Sequence, residues 1–123
     1  MMMRGIRGWA VGLGGALVLC GLRAAWAGDK VTGEVVDLSC YLHHPESGMT
    51  GGGHRKCAET CAKKGLPMGL LTSDKQVFLL LEDHDNPKAY AAALAKAAQQ
   101  ATVEGDKVNV GGVQGIIVEA VPE

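Results

Sequence analysis

A chain of 123 residues with a formal net charge of −1 has room for one domain and shows no basic face of the kind nucleic acid needs. Its single phenylalanine, Phe78, offers no platform on which bases could stack. What stands out is four cysteines and four histidines, most of them in one stretch.

The first 27 residues read as a secretory signal peptide. Arg4 and Arg7 form a basic start, residues 9–22 are apolar and glycine-rich, and Ala25-Trp26-Ala27 fits a small-x-small cleavage site. The apolar run is short and broken by glycine, which argues against a membrane span. Cys20 raises the idea of a lipoprotein, but the residue before it, Leu19, is not small. Cleavage after Ala27 leaves an acidic domain, 28–123, for the periplasm or the exterior, with no membrane span. It keeps three cysteines: Cys40, Cys57 and Cys61. An odd number in an oxidising compartment means a free thiol, an intermolecular bridge or thiolates held by metal.

A first strand is expected over 31–38. Val31, Gly33 and Val35 alternate with polar residues, then the phase slips so that Val36 and Leu38 take the apolar side and Asp37 the polar one, as a β-bulge would cause. Cys40 would stand at the end of this strand. Residues 43–53 carry Pro45, Gly48 and Gly51-Gly52-Gly53, and read as a loop. Residues 54–64 favour a short helix, stopped by Gly65-Leu66-Pro67. A hairpin follows, 68–71 and 76–81 about a polar turn, and the run V-F-L-L-L predicts a strand covered on both faces. Asn86 and Pro87 open a second helix, along which Tyr90, Leu94, Ala97 and Ala101 form one stripe. Residues 107–110 and 113–121 supply a last hairpin across Gly111-Gly112. Five strands with a helix between the third and fourth is the order of a five-stranded OB-like barrel, mainly β with two helices; an open α+β sandwich is the alternative.

The pattern D-L-S-C-Y-L-x-H followed by G-x-x-H-R-K-C-A-E-T-C-x-x-x-G-L-P-x-G-L-L resembles a family of small exported bacterial proteins with an OB-like domain, from Val31 to about Val121. The resemblance implies the barrel and draws attention to Cys40, His54, Cys57 and Cys61. It implies no reaction.

The domain therefore carries a Cys/His-rich loop and helix at 40–65, and its candidate ligands are Cys40, Cys57, Cys61, His54, His43 and His44. Cys57 and Cys61 share a helix face, and Cys40 is brought by the strand. The three histidines compete for a fourth place. His54 and Cys61 are about 10 Å apart along a regular helix, too far for one tetrahedral ion unless the glycines let His54 fold back. Thiolates and imidazole suit a copper or zinc ion and not magnesium or calcium. The same atoms suit a periplasmic thiol–disulfide protein, since Cys57 lies in the first turn of a helix beside Arg55 and Lys56, which favour thiolate. The third reading is a disulfide-stapled interaction module. Binding, with a metal ion and another periplasmic protein as partners, is favoured over turnover: no carboxylate pair or Ser–His–Asp spacing stands out. Met68 reads as core, and His84 as a solvated turn residue.

Overall fold

The computed structural model describes residues 28–46 and 48–123. The expected signal segment, Cys20 included, lies outside the described residues.

Five strands close into a barrel in the order β1-β2-β3-β5-β4: β1 (Asp29–Asp37), β2 (Met68–Leu71), β3 (Val77–Glu82), β4 (Gln100–Val110) and β5 (Val113–Ala120). All neighbours are antiparallel except β3 and β5, which run parallel. This is the OB-like order expected, in a barrel and not an open sandwich. Three helices join the strands: α1 (Leu38–His43), α2 (Arg55–Lys63) and α3 (Pro87–Leu94).

Strand alternation sorts the apolar residues onto two faces. Val31, Val35, Met68, Leu70, Phe78, Leu80, Ala101, Val103, Ile116 and Val118 fill the interior. Ala58 of α2 and Ala89 and Ala93 of α3 join the same cluster, so both helices seat alanines against the barrel core. Val36 and Leu71 face the other way and pack under α1 with Leu38, and Tyr41, Val77 and Leu79 surround them. The run V-F-L-L-L thus alternates between buried and half-buried positions, with its second face only partly covered.

Several details differ from the sequence expectation. There is no slip in β1, whose pairing to β2 and β4 runs in continuous register. Val35 and Val36 are both apolar because each face has its own apolar cluster, and Asp37 keeps the interior phase of Val31 and Val35. The irregularity sits instead between Glu104 and Gly105 in β4, where a Cβ on Gly105 would collide with the Ile117 carbonyl. β4 starts at Gln100, so Ala101 is a strand residue, while α3 ends at Leu94 and turns its Ala89 and Ala93 inward. Asn86 precedes α3 without capping it, since its side-chain amide donates to the Glu119 carbonyl at 2.8 Å. The stop at Gly65 is as expected. Its φ is 75°, and the N–H groups of Gly65 and Leu66 donate to the carbonyls of Ala62 and Cys61, closing the last turn of α2.

Candidate metal centre

The strand that carries Val31 and Val35 ends in a residue of the same phase, and that residue is a carboxylate. Asp37 is fully buried. It is also the N-cap of α1: its Oδ1 accepts the Cys40 N–H at 2.9 Å. Cys40 therefore belongs to the first turn of a six-residue helix, not to a strand end. An Asp three residues before the satisfied N–H is an ordinary N-terminal signature, so D-L-S-C marks this helix start.

The second helix also has a candidate ligand at its entry, although the His54 side chain makes no cap bond. Gly51-Gly52-Gly53 does reverse the chain: Gly52–His54 form a 3-10 turn, and His54 stands just ahead of α2. Its Nε2 meets the Oδ2 of Asp37 at 3.1 Å, with the imidazole only 11% exposed. Cys57 follows three residues later. The site is thus two copies of one pattern, D-x-x-C and H-x-x-C, each a helix-entry residue followed by a first-turn cysteine. One ligand atom from each of Asp37, Cys40, His54 and Cys57 lies within 4.8 Å of every other. The two sulfurs are 3.9 Å apart.

The turn that delivers His54 is fixed from β1. Both carboxylate oxygens of Glu34 accept the Gly51 N–H, at 3.0 and 2.9 Å. Gly51 itself has φ 75° and ψ −176°, a conformation open essentially to glycine alone. The His54 N–H then donates to the Gly51 carbonyl at 3.0 Å.

Electrostatics follow from this packing. Burial pushes the Asp37 carboxyl upward, but the Cys40 N–H, the His54 imidazole and the Cys40 thiol outweigh it and hold the carboxyl below its usual value. The same contact works against Cys40. Its hydrogen bond to Asp37, then burial and the nearby Cys57, push its thiol up to about 12. Without a cation, Cys40 is therefore a protonated thiol resting on a carboxylate. Burial first, then the charge of Asp37 and the neighbouring Cys57, also raises the Cys61 thiol.

Of the expected ligands, Cys40, His54 and Cys57 come together. Cys61, one turn further along α2, borders Cys57 and Asp37 but stands outside the group of four. His43 and His44 also stand outside it, at the far end of α1. The His43 Nδ1 donates to the Ser39 carbonyl at 2.7 Å, and the His44 N–H to the Cys40 carbonyl. Met68 is fully buried core, and His84 is exposed. Asp37 is the member that sequence reading missed, because it was assigned to a strand's polar face.

The described part of the chain thus holds an Asp/Cys/His/Cys group compatible with metal binding. Among the described residues, no buried side-chain nitrogen or oxygen lacks a partner, and no helix is long and apolar enough to cross a membrane. Compared with protein-family models, curated proteins and solved structures, the chain matches none.

Proposed function

We propose that this is an exported metal-binding protein that holds one zinc ion through Asp37, Cys40, His54 and Cys57, for metal handling, carriage or sensing and not for turnover. The observation that carries the reading is the spacing of the four donors. Ligand bonds of about 2.3 Å to sulfur and 2.0–2.1 Å to nitrogen or oxygen, at tetrahedral angles, put two sulfurs about 3.8 Å apart and an oxygen and a nitrogen about 3.3 Å apart. The corresponding distances here are 3.9 Å and 3.1 Å.

Donor chemistry favours zinc over copper(I). Copper(I) selects thiolate and thioether, whereas a set of two sulfurs, one imidazole and one carboxylate is the mixture that zinc accepts. With Asp37 in the place that sequence reading gave to Cys61, the case for copper weakens. Four protein ligands also leave no open position for substrate, which is the arrangement of a holding site. Exposure of Cys57 gives a route for exchange with solvent or with a periplasmic partner.

Ligation replaces protons. Cys40 and Cys57 must give up their thiol protons, and the Nε2 of His54 must be free of its proton. The Oδ1 of Asp37 keeps the Cys40 N–H while Oδ2 is available to the ion, so capping and binding do not compete. Titration of the reduced protein with zinc against a chromogenic competitor tests the reading, as does cobalt(II) substitution. The expected result is one ion per chain with thiolate–cobalt charge-transfer bands. Binding that survives Cys57→Ser and Asp37→Asn unchanged would place any metal elsewhere.

A further inference from the structure

We infer that Cys40 and Cys57 are also a dithiol–disulfide couple: an organic disulfide oxidises them to a Cys40–Cys57 bridge, and the bridged site cannot hold metal. The second half rests on the zinc reading; the first rests on the sulfur geometry alone.

The two sulfurs are 3.9 Å apart and come from different helices. A disulfide needs about 2.05 Å, so they must approach by about 1.9 Å. The chain between them contains no strand, only the rest of α1, the glycine-bearing loop and the turn before α2. The approach therefore disturbs no barrel ladder. Cys57 and Cys61 are the weaker pair, because side chains four residues apart on one helix are aimed poorly for the disulfide dihedral. Access gives the order of events: Cys57 is exposed, while Cys40 is half-buried.

The exchange balances without any further reactant. The Cys57 thiolate attacks one sulfur of the disulfide R–S–S–R, forming a Cys57–S–S–R bond and expelling RS⁻. Cys40, losing its proton as it attacks where it begins as a thiol, then attacks the Cys57 sulfur, closing the bridge and expelling the second RS⁻. Two electrons pass from the cysteine pair to R–S–S–R. Where the cysteines begin as thiols, their two protons end on the released RS⁻ groups. A bridged sulfur is no longer the thiolate that metal requires, so Asp37 and His54 alone remain as ligands. Cys61 stays a thiol, and a reducing dithiol reverses the change.

The test uses oxidised glutathione as the organic disulfide, added to protein that is fully reduced and zinc-loaded. Zinc release is read with a chromogenic chelator, and the linkage by alkylation and peptide mass mapping. We expect one zinc released per Cys40–Cys57 bridge formed, with Cys61 alkylated and the Cys61→Ser protein reacting at a rate within about twofold of the parent. Cys40→Ser should stop at a stable glutathione adduct on Cys57, with circular dichroism confirming that it folds. A bridge mapped to Cys61, or zinc lost without any bridge, overturns the inference. If the reduced protein takes up no zinc, the metal reading has failed, and mapping of the oxidised metal-free protein alone decides the couple: a Cys40–Cys57 bridge upholds it, and any other product overturns it.

Discussion

Inside the barrel, Val35, Met68, Leu70, Val103, Ile116 and Val118 are completely buried among one another. Two residues beyond Val35 on the same strand face, Asp37 is equally buried, yet the partners of its carboxylate are an N–H, an imidazole and a thiol. The barrel excludes water and needs nothing from outside. The segment from α1 to α2 is a six-residue helix, a loop and a nine-residue helix, each too short to be stable alone, gathered about one carboxylate. On the zinc reading, the contrast separates a barrel whose stability is intrinsic from a cap that a bound ion would stabilise.

The largest effect should come from the barrel and be indifferent to metal. Leu70→Ala or Ile116→Ala removes a fully buried side chain from a closed core, which typically costs about 2–5 kcal/mol. Denaturant unfolding should show the same loss with and without zinc. A loss that zinc rescues would mean that barrel and cap are one unit.

Asp37 tests the other side. Asp37→Asn keeps an oxygen for the Cys40 N–H but loses the charged ligand. Zinc affinity should fall by about 10–100-fold or more in a competition titration, while the metal-free protein loses only the stability that the carboxylate charge contributes. Asp37→Ala should lose the cap as well, at about 1 kcal/mol. If both variants bind zinc normally, Asp37 is only a cap.

The pH dependence should show opposite signs for two groups within the site. Asp37 is held below its usual value when folded, so its contribution is present above the unfolded carboxyl pKa of about 4 and lost as pH falls through the lower folded value. Cys40 runs the other way. Raised to about 12, it stabilises the reduced, metal-free form below the unfolded thiol pKa of about 8.5–9, and that contribution is lost as pH rises through about 12. Zinc binding, which discharges thiol protons, should strengthen with rising pH over the neutral range. Thiolate absorbance, followed across an alkaline titration, checks the Cys40 value. A Cys40 thiolate at neutral pH in the metal-free protein would contradict it.

The smallest effect is expected at Glu34. Glu34→Gln keeps an acceptor for the Gly51 N–H and removes the charge, so zinc affinity should fall by a few-fold at most, with the barrel unchanged. A loss as large as that of Asp37→Asn would mean that the turn before His54 has no other support.

The barrel was legible in the sequence because its signals are local: alternating apolar residues, polar or Gly-Gly turns, and glycine after a short helix. The Cys40, His54 and Cys57 part of the site was legible from residue type and from the glycines ahead of His54. Asp37 was not, because one position served two elements. Its side chain continues the interior phase of β1 and caps α1, and the apparent slip at Val36 concealed both roles. Nor does the sequence separate Cys57 from Cys61, whose difference is one helical turn relative to a carboxylate on another element.

Hydrogen exchange on the reduced protein, metal-free and then zinc-loaded, tests the central claim most directly. At a thousandfold excess over Kd, a ligand bound only by the folded form contributes about 4 kcal/mol. Protection in β1 to β5 should already be high without metal. Amides from Leu38 to Gly65 should exchange quickly without metal and slow by several orders of magnitude when zinc is added. Equal protection of that segment in both states would contradict the account.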